Sequence, residues 1–453
     1  MKLIQTRKEL YLLSSLMIFL LVVFLSFNYL NPVLLWDECA YLGNARNHLG
    51  GSNFVEDFRY PFLEYIIAFV WYFTGESIFA ARFVVILMSL LTVFVFYLIS
   101  REFFSINHSL LITFLFSISS QFILWGFRVY TDVPALMFLL LSFLSFLKYR
   151  ESGKFAFISI SGAFFALAFL SRFTVALFAL AVFIEFVLKK DYKGFILFTS
   201  FVLLALLPWV GYNYITYDDI IWDFKEQYKI VADYTINQPA TLQLNNLFLT
   251  LGLLIFFLPF GLIFLTKHKE YLIVSYVVIS LVYYLFFVNM KLARYYIVFL
   301  PFLYLISYSG LLWLSERRVL KKFNFKILSL VLILSGSVFL FFGLININLE
   351  NNCDSNSSIL NSVQYFNSLE EKPQVIISNY WPWLGYYLNT SVSSTWDKNI
   401  TNMINIYNPQ YFAYNSLVGM EYNKNLLDVH ERLSLVKKIE GDCNQEIFIY
   451  RVN

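Results

Sequence analysis

The sequence predicts an all-α polytopic membrane protein of about eleven transmembrane helices that ends in a small α/β domain. The 453 residues are 59% hydrophobic and only 14% charged, whereas a soluble chain needs about 25% charged residues to cover its surface. Apolar stretches long enough to cross a bilayer recur from Tyr11 to Ile347. The last 106 residues are instead rich in Asn, Ser and charged side chains.

The first apolar stretch, Tyr11–Leu30, has no small-residue cleavage site after it, so we expect a retained span and not a signal peptide. Pro61–Gly75 is also apolar but short, and we expect an interfacial helix there, in the first external loop. The predicted spans are Tyr11–Leu30, Ala80–Ser100, Ser109–Phe127, Val133–Phe146, Phe155–Leu170, Phe173–Leu188, Gly194–Tyr214, Leu244–Leu265, Tyr271–Val288, Ala293–Leu314 and Ile327–Ile347.

The orientation follows from the basic residues in alternate connections. One set of connections holds seventeen Lys and Arg, and the opposite set, without the C-terminal tail, holds nine. Because basic residues concentrate on the cytoplasmic side, we expect a cytoplasmic N-terminus. The connections 31–80 and 215–243 and the C-terminal tail are then extracytoplasmic, in the plasma membrane of a prokaryote.

The tail predicts a second domain. We expect a transmembrane domain over residues 1–347 and an extracytoplasmic α/β domain over residues 348–453, with strand-like runs at Gln374–Ser378 and Glu446–Val452. In that compartment Cys353 and Cys443 could form a disulfide that closes nearly all of the domain. Two free thiols are the alternative.

Charge and cysteine content exclude other classes. The net charge is +3, from 33 Lys and Arg against 30 Asp and Glu, which is too even for a nucleic-acid binder. The three Cys and four His have no metal-binding spacing. No cofactor is therefore predicted, and whether a divalent cation helps to bind a phosphate stays open.

Ionisable groups are expensive in hydrocarbon, so their positions are informative. Here they avoid the middles of the spans and collect at the outer ends. This predicts a mixed-charge site at one membrane face, drawn from Asp37, Glu38, Glu56, Asp57, Arg59, Glu64, Arg82, Arg128, Asp132, Arg172, Lys291 and Arg294.

Two acidic positions have both a catalytic and a structural interpretation. Asp37, directly after the first span, can take a proton from an acceptor hydroxyl, with Glu38 beside it to position or bind. Alternatively, Asp37 caps a short surface helix. Asp132 precedes Val133 and Pro134, which favours a helix N-cap, and that role is compatible with membership of the site.

The basic residues at the same face could be ordinary interfacial anchors. As a convergent set they suit a lipid phosphate, because one guanidinium group can bind two phosphate oxygens at once and stabilise a leaving phosphate. This set comprises Arg82, Arg172 and Arg294, joined by Arg59, Arg128 or Lys291.

Five stretches in order resemble the GT-C glycosyltransferases that use polyprenyl-phosphate sugars. The similar branch contains the dolichyl-phosphate-mannose protein mannosyltransferases and the bacterial 4-amino-4-deoxy-L-arabinose lipid A transferase. The likeness covers Met1 to about Leu314. Its stretches are Trp36-Asp37-Glu38 with Tyr41; Tyr60–Leu63 through Thr74-Gly75 to Ala81-Arg82-Phe83; Thr131–Pro134; Leu170–Thr174; and Ala293–Tyr296 with Pro301.

The resemblance implies a GT-C-like fold and a catalytic Asp at position 37. It places Glu38 as the second member of the acidic pair, Asp132 as the acid of the second external loop, and Arg82 as the arginine at the head of the following span. It also implies inverting transfer, in which an acceptor oxygen attacks the sugar while the polyprenyl phosphate leaves. The lipid-phosphate sugar is then a co-substrate, and the acceptor is a protein, a lipid or a glycan.

Two departures from the family pattern and two rival functions remain. Arg59-Tyr60-Pro61 replaces the usual Pro-Pro or His-Pro-Pro, and Trp381-Pro382-Trp383 lacks the Asp of the oligosaccharyltransferase signature. A multi-span transporter or flippase is the main alternative, although paired repeats and midplane polar groups are not visible in the sequence. A structural or assembly protein would have no need of this charged face.

Overall fold

A computed structural model describes residues 6–232, 238–316, 330–341, 357–394, 399–416, 427–428, 430–441 and 445–453. It is mostly helical and ends in a small sheet, which confirms the predicted fold class. The chain packs into two compact units. The helical unit comprises Met1–Leu30, Phe58–Leu63 and Arg82–Leu344, and the α/β unit comprises Asn31–Asp57, Glu64–Ala81 and Ile345–Asn453.

Helices make up most of the described chain. Short 3-10 helices at Phe173–Val175, Gly252–Phe257 and Ala293–Phe299 lead into three of the helices, and a π-helical turn at Tyr283–Phe287 extends another. The α-helices are α1 Arg7–Leu30, α2 Trp36–His48, α3 Pro61–Thr74, α4 Ile78–Phe103, α5 Ile106–Ser117, α6 Ser120–Trp125, α7 Asp132–Ser152, α8 Phe155–Ser171, α9 Ala176–Lys189, α10 Tyr192–Tyr217, α11 Trp222–Ala232, α12 Ala240–Leu251, α13 Leu258–Lys267, α14 Tyr271–Val282, α15 Leu300–Glu316, α16 Leu330–Phe341, α17 Ser357–Asn367, α18 Trp381–Leu388 and α19 Ile400–Tyr407.

The protein is an integral membrane protein. Among the described residues, six helices are long and apolar enough to cross a bilayer, and several shorter apolar helices accompany them. The expected short span Val133–Phe146 is α7, whose 21 residues reach full crossing length. The expected span Ser109–Phe127 is interrupted at Ile118 and Ser119, between α5 and α6. The total of about eleven spans stays a prediction.

Glycines set close contacts in the helical unit. A Cβ at Gly261 on α13 would lie 1.8 Å from the carbonyl oxygen of Ile306 on α15. A Cβ at Gly310 would lie 2.2 Å from the carbonyl oxygen of Phe257. Only glycine permits these approaches, so α13 and α15 pack backbone against backbone, as small residues allow in membranes.

The α/β unit contains a five-stranded mixed sheet in the order β2-β1-β3-β5-β4. The strand β1 is parallel to both of its neighbours, β2 and β3, whereas β5 is antiparallel to both β3 and β4. The predicted strand-like runs become β1 and β5. The strands are β1 Val375–Ser378, β2 Ser391–Ser394, β3 Tyr411–Asn415, β4 Leu433–Glu440 and β5 Glu446–Val452.

Apolar side chains from the strands and from α19 form the core of this unit, including Ile377, Met403, Phe412 and Phe448. The unit also takes in α2 and residues 64–81, which come from the first predicted external connection. The division after residue 347 stays a prediction. Cys353 and Cys443 lie outside the described residues, so the disulfide also stays a prediction.

Candidate active site

The segment Trp125–Asp132, between α6 and α7, is the centre of the charged cluster in the helical unit. The short α6 is followed by its C-cap residue Gly126, whose carbonyl oxygen accepts a hydrogen bond of 2.6 Å from Ser89 Oγ. A Cβ at Gly126 would lie 2.5 Å from the ring of Phe24. The chain therefore turns in contact with α1 and α4, which fixes the residues that follow.

Two arginines lie over the ring of Phe127. The guanidinium carbons of Arg82 and Arg128 are 5.7 Å and 5.1 Å from the ring centroid. Both arginines are buried, with 1% and 5% of their surface exposed. Cations are attracted to the negative face of an aromatic ring, and the attraction grows when water is excluded. Phe127 therefore holds two positive charges near one another.

A second pair of arginines shares the ring of Tyr295. The guanidinium carbon of Arg172 lies 5.3 Å from its centroid, and that of Arg294 lies 5.9 Å away. Arg294 also lies 4.7 Å from the ring centroid of Tyr130 and 5.5 Å from that of Trp125. Arg294 is thus connected to the same segment as Arg82 and Arg128.

Asp132 completes the cluster through Arg172. The Nη1 atom of Arg172 lies 2.9 Å from Oδ1 of Asp132, whose side chain is fully buried. Asp132 is the first residue of α7, and Thr131 occupies the N-cap position without a side-chain cap. The N-cap role expected for Asp132 is therefore not found. The positive end of α7 nevertheless favours a carboxylate at this place.

A break in the helices positions Arg172. It stands in extended conformation between the end of α8 and the 3-10 helix that leads into α9. Phe173 then packs edge-on against Tyr60, with ring centroids 4.1 Å apart. The resulting change of direction turns the guanidinium group toward Asp132.

The other two basic candidates make different contacts. The Lys291 Nζ atom donates to the carbonyl oxygens of Tyr284, Leu285 and Val288, at the end of the α14 segment. Burial lowers the pKa of Lys291, and these three acceptors oppose that shift. The Arg59 guanidinium lies over the ring of its neighbour Phe58.

In the α/β unit, Asp37 and Glu38 lie in the first turn of α2 and differ in environment. Glu38 is fully buried, and its Oε2 accepts a hydrogen bond of 3.1 Å from the backbone N–H of Leu35, the N-cap residue. Asp37 is partly exposed. The capping function considered for Asp37 therefore belongs to Glu38.

Two further acids are fixed by Asn44 on α2. The Asn44 side chain exchanges hydrogen bonds with the backbone of Glu56, at 2.8 and 3.0 Å. Its Nδ2 also donates to Glu64 Oε2 at 2.7 Å, and Glu64 Oε1 lies 3.0 Å from Nε2 of His48. Glu56 and Glu64 thus have structural partners around α2.

Comparison with known proteins identifies the fold. Residues 59–212 match the family described as dolichyl-phosphate-mannose-protein mannosyltransferase. The structure of ArnT from Cupriavidus metallidurans bound to undecaprenyl phosphate matches with a TM-score of 0.68 and 13% identity, covering 96% of this chain and 97% of that one. An oligosaccharyltransferase from Archaeoglobus fulgidus matches with a TM-score of 0.58 and 14% identity, covering 88% and 68%. The chain has the fold of the GT-C glycosyltransferases, and its residues 59–212 match a glycosyltransferase family.

No curated protein matches this chain by sequence. The family match nevertheless includes Arg82, Arg128, Asp132 and Arg172, which the helical unit brings to one segment. Nothing in the comparisons supports a transporter or flippase.

The aromatic partners of the arginines were missed from sequence. Trp125, Phe127, Tyr130 and Tyr295 hold the guanidinium groups, but aromatic residues make up 20% of the chain and do not stand out. Their position within a few residues of Arg128 and Arg294 was the available signal. In the described part of the chain, no three acidic, His or Cys side chains are grouped as a metal site.

Proposed function

We propose that this glycosyltransferase moves a single sugar from a polyprenyl phosphate to an acceptor hydroxyl at the extracytoplasmic face, with inversion at the anomeric carbon. The observation that carries the proposal is the convergence of Arg82, Arg128, Arg172 and Arg294 on the segment Trp125–Asp132. An undecaprenyl or dolichyl phosphate is the proposed donor lipid.

Guanidinium groups suit this donor for two reasons. Their planar N–H groups match phosphate oxygens, and they keep their charge in a partly buried site. Stacking on Phe127 and Tyr295 fixes the planes of the guanidinium groups before the donor arrives, which reduces the entropy lost on binding. The match with ArnT, a structure bound to undecaprenyl phosphate, covers nearly the whole chain and supports the same class of lipid.

The transfer needs one base and one group of cations. The acceptor oxygen forms a bond to the anomeric carbon while the bond from that carbon to the phosphate oxygen breaks, and the phosphate leaves with the electron pair. The hydroxyl proton passes to the Asp37 carboxylate. The arginines stabilise the negative charge that grows on the leaving phosphate.

Among the acids on α2 and the acids bonded to α2, Asp37 is the best candidate for the general base. Glu38 is fully buried and accepts from the backbone of Leu35, and Glu64 is bonded to Asn44 and His48. Asp37 is partly exposed, so an acceptor can reach it. Glu38 fixes the start of α2, and Asp132 holds Arg172.

The test is transfer from a radiolabelled polyprenyl-phosphate hexose by protein reconstituted in vesicles. The acceptor is the envelope fraction of a strain that lacks the gene. We expect Asp37→Asn to reduce labelled product at least a hundredfold, within the range for loss of a general base. Asp219→Asn is the matched control, because Asp219 is a partly exposed acid paired with Lys225. If Asp37→Asn transfers as fast as the unaltered protein, the assignment of the base fails.

A second set of variants tests the phosphate site. Arg82→Glu should raise the KM for the donor more than the KM for the acceptor, because it places a negative charge beside the phosphate. Arg82→Lys should give a smaller increase, since the charge remains and the paired N–H groups are lost. Equal effects of Arg82→Glu on donor and acceptor would count against this role.

A further inference from the structure

Helix α18, near the end of the chain, packs against α2, the helix that carries Asp37. Both helices belong to the α/β unit. The residues between α1 and α2, Asn31 to Leu35, have no regular secondary structure. The position of Asp37 therefore depends on what α2 packs against.

Trp36, the neighbour of Asp37, is held by two indole rings of α18. Its ring centroid lies 4.5 Å from that of Trp381 and 5.1 Å from that of Trp383, and both pairs are edge-on, at 85° and 83°. Edge-to-face pairs at such distances are worth about 0.5–1.5 kcal/mol each beyond the area that they bury. Two such contacts restrict the first turn of α2.

The same two indoles donate hydrogen bonds on either side of α2. Trp383 Nε1 donates to the carbonyl oxygen of Leu34 at 3.0 Å, directly before the helix. Trp381 Nε1 donates to the carboxylate of Glu56, in the segment after the helix. The α18 helix thus contacts the segments directly before and after α2, the helix that contains Asp37.

Two glycines bring the backbones of α2 and α18 close to the ring of Phe54. A Cβ at Gly385 on α18 would lie 2.2 Å from Phe54 Cδ2, and a Cβ at Gly43 on α2 would lie 2.7 Å from Phe54 Cδ1. A Cβ at either position would force the Phe54 ring, which contacts both helices, to move. The docking of α18 on α2 is therefore specific in its spacing.

We infer that Trp381 and Trp383 are positioning residues that hold Asp37 in place for proton transfer, an inference that rests on the proposed function. A general base must lie within hydrogen-bond reach of the hydroxyl that it deprotonates. A displacement of about 1 Å can cost a hundredfold in rate. The C-terminal part of the chain thereby acts on the chemistry through Trp36 without supplying a reacting group.

The test is Trp383→Phe, which keeps an aromatic ring and removes the N–H donor to Leu34. With the transfer assay described above, we expect kcat to fall about tenfold while the KM for the donor changes less than twofold. Trp71→Phe is the matched control. Trp71 lies in the same unit, is buried, and donates from Nε1 to the carbonyl oxygen of Ser77 at 2.8 Å. It should leave kcat unchanged.

A double substitution separates positioning from general structural damage. In protein that already carries Asp37→Asn, Trp383→Phe should lower the residual rate less than twofold, because the base that it positions is gone. An equal loss in both backgrounds would overturn the inference. Full activity of Asp37→Asn alone would instead overturn the proposed function.

Gly385→Ala gives an independent disturbance of the same contact. We expect it to lower kcat at an unchanged donor KM, as Trp383→Phe does. Gly211→Ala is its control, because a Cβ there meets nothing within 4 Å. Activity of Gly385→Ala equal to that of the control, in protein that elutes as a single species, would contradict the role of α18.

Discussion

Asp132 and Arg172 form a buried ion pair at the start of α7, with Arg172 Nη1 2.9 Å from Asp132 Oδ1. The Asp132 side chain has no exposed surface, and 12% of the Arg172 side chain is exposed. Removing one partner of such a pair leaves a buried charge without its counterion, at a cost of about 3–5 kcal/mol. Asp132 therefore controls the position of Arg172.

We predict that Asp132→Asn lowers both stability and donor use. The unfolding temperature in detergent should fall by several degrees, and kcat/KM for the donor should fall about a hundredfold. The double variant Asp132→Asn/Arg172→Gln should recover stability but not activity, because neither member of the pair is then charged and the phosphate has lost a cation. Recovery of activity in the double variant would show that the pair is only structural.

Phe127→Leu should weaken donor binding through Arg82 and Arg128 together. Each cation–π contact is worth about 0.5–2 kcal/mol, so we expect the KM for the donor to rise about tenfold with kcat nearly constant. The comparison is Phe69→Leu, an exposed residue on α3. A loss confined to kcat would argue against a binding role for the two arginines.

One substitution distinguishes two roles of Lys291, a helix cap and a phosphate ligand. Its Nζ donates to three carbonyl oxygens, so Lys291→Met should lower the unfolding temperature by an amount equivalent to about 1.5–3 kcal/mol. The KM for the donor should change less than twofold. A higher donor KM at an unchanged unfolding temperature would assign the ammonium group to the phosphate instead.

The link between α10 and α11 gives a fourth prediction. Trp209 Nε1 donates to Asp223 Oδ2 at 2.8 Å, and Asp223 is buried. Asp223→Ala should release α11 and accelerate tryptic cleavage after Lys225 and Lys229 several-fold, since cleavage requires the helix to open. Asp219→Ala should not have this effect. Equal cleavage rates in the two variants would refute the link.

The six helices of crossing length among the described residues were predictable because long apolar runs are a clear signal. Their ends were not. The first helix begins at Arg7 and not at Tyr11, because Glu9 is paired with Arg101 at 3.1 Å and with Tyr97 inside the helical unit. Hydropathy cannot anticipate a charge that finds a partner on another helix.

The charged residues of the candidate site were predictable from the sequence, whereas the residues that hold them in place were not. Arginines at the ends of different spans indicated a common site, and the helical unit brings Arg82, Arg128, Arg172 and Arg294 to one segment. The contact between Trp383 and Leu34 could not be predicted, because the two residues lie 349 positions apart in the sequence. Only a fold can place them together.

The distance in sequence between Leu34 and Trp383 also affects how the protein folds during synthesis. At a synthesis rate of about 5–20 residues per second, α2 leaves the ribosome roughly 20–70 s before the indole that reaches Leu34. During that interval the first turn of α2 lacks its contacts with the two indoles of α18, so a prematurely terminated polypeptide would lack the residues that position Asp37.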